Sequence, residues 1–233
     1  MPERSTQLTA VSAALSFPCG SPPAPGEALE VAPGVLWLRM RLPMAGLNHI
    51  NLWALEDQGG WTLVDTGMHT ADTAADWHSA FAGPLSRGPV QRVICTHMHP
   101  DHIGMAGWLT RQHDCRLWTT RLEYVTCRML VADTGREAPA DGVRFYRGAG
   151  WDDAALEHYK ARFGGFGKAV YALPDSYRRV TDGEELKIGE RPWRAVVGRG
   201  HSPELKVLIS GDQGCRASPP MSRCFRRSRT PIH

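Results

Sequence analysis

The chain has 233 residues, of which 42% are hydrophobic and 22% charged, with a formal net charge of +3. That size suits one sizeable domain with a real core, leaves no room for a second full domain, and the composition is that of an ordinary soluble globular protein. No apolar run approaches the length of a membrane span. The six cysteines (19, 95, 115, 127, 215 and 224) form no C-x-x-C pair; Cys95 and Cys115 read as small buried hydrophobes, which points to a reducing cytoplasm.

Residues 1–28 are expected to form a flexible leader, because the apolar stretch Ala10 to Phe17 is short and interrupted by serines. A secretory signal would need a longer apolar run. From Gly34 the pattern turns to strands. Val35 to Met40 is an apolar run, and Asn51–Glu56 and Trp61–Asp65 flank the turn Asp57-Gln58-Gly59-Gly60, a hairpin signal. A helix is expected over Ala71–Phe81, a strand over Val90–Thr96, a helix over Ile103–Gln112 and a strand over Cys115–Thr119. Two further helices are expected near Arg121–Ala132 and Trp151–Phe163. Strands return at Tyr177–Thr181, Glu185–Ile188, Arg194–Val197 and Leu205–Ser210. This order predicts an α/β sandwich in which two sheets pack together and helices cover their outer faces.

The most informative stretch is Thr96-His97-Met98-His99-Pro100-Asp101-His102, at the carboxyl end of a predicted strand. With His at 10 of 233 positions, the pattern would arise by chance in on the order of one chain in a thousand. Imidazole is the commonest zinc ligand, and a neighbouring carboxylate adds an oxygen donor or proton acceptor. His201, in Gly198-Arg199-Gly200-His201-Ser202-Pro203, and Asp212, after Leu208-Ile209-Ser210-Gly211, are further candidates. Each alone reads more simply as a loop residue. His49 and His69 could reach the rim of such a site, though packed or exposed histidines are the simpler reading for both. Trp151, Tyr159, Phe163 and Phe166 could belong to a substrate lid over 120–175.

With Asp65-Thr66-Gly67, the His97–His102 run, Gly200-His201-Ser202 and Ser210-Gly211-Asp212 in this order, the chain resembles the metallo-β-lactamase fold superfamily of hydrolases, including its glyoxalase II-like members. The resemblance covers roughly residues 30 to 213. It implies a four-layer αβ/βα sandwich with metals at one edge. It implies that His97, His99 and His201 bind one zinc, and that Asp101 and His102 bind a second with Asp212 bridging. Asp65 would support the site from behind. The implied reaction is hydrolysis of an ester, thioester, lactone or amide by a metal-bound hydroxide, with Asp101 carrying the proton. Iron or manganese could replace zinc. His99 argues against the di-iron flavoprotein branch, which has a carboxylate there, whereas an iron-dependent sulfur dioxygenase shares a similar ligand run.

Two departures accompany the resemblance, and they leave an inactive, truncated descendant as an alternative. The first is that His201 passes almost directly into Leu205–Ser210. Seven strand steps from Asp212 back to Leu205 span ~23 Å, whereas four steps from His201 to Leu205 cover at most ~14 Å. An outgoing strand is therefore expected to be missing. The second is that residues 214–233 form an irregular tail with five arginines and no acid, consistent with a shifted reading frame after Gln213. Without that tail the remaining charge is acidic. A nucleic-acid-processing relative would be favoured only by this tail, and a small-molecule substrate is the expected partner.

Overall fold

A computed structural model describes residues 19–44 and 46–210 of the chain. The leader to residue 18, Asp212 and the Arg-rich tail lie outside the described residues.

The first seven strands make one sheet in sequence order. They are β1 (Ala28–Ala32), β2 (Val35–Met44), β3 (Leu47–Asp57), β4 (Gly60–Val64), β5 (Val90–Ile94), β6 (Arg116–Thr119) and β7 (Arg178–Arg179). β1 to β4 form an antiparallel meander. At the expected hairpin, Gln58 and Gly59 have φ of 46° and 79°, the left-handed pair that matches the twist of two strands. From β4 onward the sheet is parallel. Each parallel step needs a crossover; α1 (Ala71–Ala82) bridges β4 to β5. Its entry is fixed by Thr70, whose Oγ1 accepts the Thr73 N–H at 3.1 Å.

The helix expected over 103–112 is two helices, α2 (Pro100–Ile103) and α3 (Ala106–Gln112). The break has a specific cause. The Met105 N–H donates to the Gly67 carbonyl at 3.0 Å instead of continuing the helical ladder. Helix α4 (Arg121–Ala132) has the expected bounds, and α6 (Asp153–Arg162) sits within its expected range. Between them lies α5 (Ala140–Gly148), a helix not expected from the sequence, which buries no residue. A 3-10 turn over Phe166–Ala169 follows.

β8 (Glu185–Ile188), β9 (Arg191–Gly198) and β10 (Leu205–Ile209) form a second, antiparallel sheet in the order β10-β9-β8. One core lies between the helices and the large sheet, with Trp61, Trp77, Ile103, Met105 and Leu109 almost fully buried. The other lies between the sheets and joins Val35, Trp53, Leu55 and Ile94 to Leu186, Ile188, Trp193 and Leu208. Asp57 ties the two sheets together: its carboxylate accepts from Thr62 Oγ1, Arg92 Nη2 and the Gly189 N–H. Three layers of the expected four are thus present among the described residues: helices, large sheet, small sheet.

The expectation of a missing outgoing strand is corrected here. Leu205 pairs with Gly198 and Ile209 with Arg194, so β10 itself runs outward from the His201 loop. The chain uses the segment that reads as the returning strand to make the outgoing one. The switch has a visible cost. Lys206 takes an inward position of β10 and is fully buried, with its Nζ donating to the Cys95 carbonyl and, at 3.1 Å, to Thr119 Oγ1.

Candidate metal centre

β4 and β5 end side by side in the parallel part of the sheet, and the loops beyond their carboxyl ends carry Asp65 and the 97–102 run, as open α/β sheets arrange their sites. Asp65 adopts φ of 64°, a left-handed conformation that Asp tolerates better than most residues. This turns its buried carboxylate onto Thr96 and His102. The Thr96 N–H donates to Oδ1 at 2.7 Å, and His102 Nδ1 stands 2.8 Å from Oδ2. The Asp-Thr-Gly turn is braced from below by Trp77, whose Nε1 donates to the Thr66 carbonyl at 2.8 Å. Gly67 follows with φ of 81°, where a Cβ would come within 2.7 Å of the Thr73 side chain.

His97, His99 and His201 converge. His201 Nε2 lies 3.2 Å from His97 Nε2 and 3.1 Å from His99 Nδ1. One ring nitrogen of each of these three residues lies within 4.8 Å of the others. Zinc with nitrogen ligands at 2.0–2.1 Å in a tetrahedron puts those ligands ~3.4 Å apart, so the spacing fits. The protonation states fit as well. Burial, aided by the neighbouring His102, pushes His97 down to about 3 against the pull of Asp65. Burial and His201 also lower His99. Neutral imidazoles are the form that offers a lone pair to a metal. Thr96 Oγ1, 3.0 Å from His97 Nδ1, occupies the far side of that ring and leaves Nε2 for the cluster.

Asp101 and His102 sit beside the trio without joining it. His102 has a carboxylate at each nitrogen, Asp65 at 2.8 Å and Asp101 at 3.3 Å. Burial opposes the charged ring, but these two carboxylates outweigh it and raise His102 to about 10. Asp65 and Asp101 are lowered in turn: His102 overcomes the burial that would raise each of them. His49 contacts Asn48 at 2.7 Å and His69 packs edge-on against Tyr171, and neither belongs to the converging group.

One buried acid at this centre escapes a reading of the sequence. Glu123, on α4, has no exposed surface and accepts hydrogen bonds from Met98, Ser202 and Glu204. Its only signal in the sequence is Thr120-x-x-Glu123, which suggests a helix-capping pair. Thr120 makes no such cap.

A cleft of about 890 Å³ opens over the histidines. His99, Asp101 and His201 lie in its wall, and Trp151, Tyr159, Phe163 and Phe166 line it beside Met44, Met68 and Leu130. Tyr146, Trp151 and Tyr159 pack on one another, which joins α5 to α6 beside the cleft.

Known proteins share this fold. A family model for the metallo-beta-lactamase superfamily matches residues 45–225. A beta-lactamase domain protein from Burkholderia ambifaria superposes with a TM-score of 0.70 at 40% identity, covering 82% of this chain and 55% of its own. A metallo-beta-lactamase family protein from Thermus thermophilus (TM-score 0.53, 22% identity, 78% and 56% covered) shares the fold. So does a subclass B3 metallo-beta-lactamase of Bradyrhizobium japonicum (TM-score 0.54, 15% identity, 80% and 57% covered). No curated protein matches the sequence. The chain spans little more than half the length of these solved relatives. With the family match across most of its length and the histidine cluster at the sheet edge, the chain belongs to the metallo-beta-lactamase superfamily.

Proposed function

We propose that the chain is a zinc-dependent hydrolase of a small-molecule ester, thioester, lactone or amide. The convergence of His97, His99 and His201 at the wall of an apolar cleft carries this reading. Bound there, zinc would act as a Lewis acid and bring the pKa of a coordinated water towards neutrality. Three imidazoles suit iron as well as zinc, and manganese less well. Asp101 and His102 are the proposed donors to a second ion, once His102 releases the proton it holds against Asp101; Asp212 follows in sequence a strand that leaves the histidines, which counts against it as a bridge.

The chain's own residues do the rest. Asp101 lines the cleft, and His102 keeps it ionised, so it accepts a proton from the attacking water and returns it to the leaving group. Asp65 holds His102 in place from the buried side. Trp151, Tyr159, Phe163 and Phe166 take up the apolar part of the substrate and exclude water around the scissile bond. The described cysteines are free and Cys95 and Cys127 are buried, which supports a reducing compartment such as the cytoplasm. No described helix is long and apolar enough to cross a membrane.

A second reading, a descendant that has lost activity, is favoured by the outward course of β10 away from the histidines. Assay of the zinc-loaded full chain against generic esters, thioesters and lactones decides between them. Turnover abolished by His97→Ala supports the hydrolase; no turnover on any class, with zinc bound, supports the descendant.

A further inference from the structure

Glu123 joins the two loops that carry the three histidines. Its Oε2 accepts the Met98 N–H at 2.7 Å, and Met98 lies between His97 and His99. Its Oε1 accepts Ser202 Oγ at 2.7 Å and the Glu204 N–H at 2.6 Å, beside His201. The two loops are about a hundred residues apart in sequence, and this carboxylate touches both. All three bonds are short, and the side chain that accepts them has no exposed surface.

His201 depends on this clamp more than its partners do. His97 is buried and His99 half-buried, whereas His201 is exposed and follows Gly200, whose φ is 130°. Among the described residues its ring meets only those of His97 and His99, and the preceding glycine places few limits of its own on the backbone. The adjoining Ser202 and Glu204 anchor the loop, and their anchor is Glu123. Helix α4 reinforces the contact, with the Leu122 N–H donating to Glu204 Oε2 at 3.3 Å.

We propose that Glu123 is a positioning residue for the metal centre: it acts through His201, setting that imidazole's distance from His97 and His99 and thereby the affinity for zinc. The proposal rests on the reading of the three histidines as a metal site. A buried carboxylate with a purely structural role would lower the stability of the metal-free chain and leave zinc affinity unchanged once folded. A positioning role moves affinity in the folded protein, and only while His201 is present.

The test is zinc affinity of the full chain, read by competition with a chromophoric chelator, beside the melting temperature of the metal-free form. Glu123→Gln keeps the shape but turns an amide NH2 towards one set of donors. It should weaken zinc binding about 10- to 100-fold, the range for residues that orient metal ligands. Ser202→Ala removes one of the three bonds and is the second variant should Glu123→Gln fail to fold; it should weaken binding by a smaller factor. In a His201→Ala background neither substitution should weaken it further. Affinity within about twofold of wild type in a folded variant, or losses that multiply with that of His201→Ala, would overturn the proposal and leave the metal reading intact. A wild-type chain that binds no zinc would overturn both.

Discussion

Nδ1 of His99 and Nε2 of His201 stand 3.1 Å apart although 102 positions separate them in the sequence. Two imidazole nitrogens meet at such a distance either by sharing a proton or by sharing a cation. His97 Nε2, 3.2 Å from the same atom of His201, favours the cation, because a shared proton satisfies one pair and a metal satisfies all three.

His201→Ala should therefore lose its zinc on dialysis, keeping only weak binding that chelator competition still reads, with little change in fold stability. The residue is exposed, and surface substitutions usually fall within about 0.5 kcal/mol. Denaturant titration of the metal-free variant beside the metal-free wild type checks the second half. A large loss of stability there would show that the histidine carries structure rather than metal.

Asp65→Asn attacks the support beneath. The carboxylate is buried between Thr96 and His102, and breaking a buried, hydrogen-bonded charge pair costs about 3–5 kcal/mol. The urea midpoint of the metal-free variant should fall accordingly. An unchanged midpoint would mean that His102 is not held by this pair.

Lys206 makes stability depend on pH. Burial lowers its pKa from 10.5 to about 8, against the pull of Cys95 and nearby acids. Between those two values the unfolded chain binds a proton that the folded chain lacks, so this residue's contribution to stability rises with pH from about 8 to 10.5. Below pH 8 the full penalty is present, on the order of 3 kcal/mol. Lys206→Met should stabilise the chain near neutrality by about 1–3 kcal/mol, the burial penalty removed less the cost of leaving the Cys95 carbonyl without its donor. The gain should vanish above pH 10.5. A variant less stable than wild type at neutral pH would show that the lysine's hydrogen bonds outweigh its burial.

Trp151→Ala should discriminate among substrates. Trp151 lines the cleft and packs on Tyr146 and Tyr159. Its removal should lower kcat/KM for esters with bulky apolar groups about tenfold or more and leave acetate esters within about twofold, since the ring is exposed in the free chain and covering an apolar side chain is worth roughly 1.5–3 kcal/mol. Equal losses on both would place the effect on the metal centre instead.

The first loop of the centre is legible because its chemistry is written in residue type: His97, His99, Asp101 and His102 stand out together, whereas His201 alone reads as a loop residue and Asp65 enters only through the resemblance to the superfamily. Regular elements with strong periodicity and a cap, such as α1 behind Thr70, are equally plain. What stays hidden depends on tertiary partners. The α2–α3 break follows from the Met105 N–H being taken by Gly67, and no local propensity records that bond. Glu123 looks like a capping acid until the loops arrive beside it. The course of β10 escapes the sequence because alternation reveals a strand and its two faces but not its direction, and Lys206 sits where an apolar residue would be expected.

The central claim is that three histidines from two distant loops form one metal centre in this chain. Zinc content of the purified full chain, measured by elemental analysis after exhaustive dialysis against metal-free buffer, tests it most directly. The prediction is about one to two zinc ions per chain, lost in His201→Ala. A wild-type chain that refolds, takes up no zinc and matches His201→Ala in every fraction would contradict it.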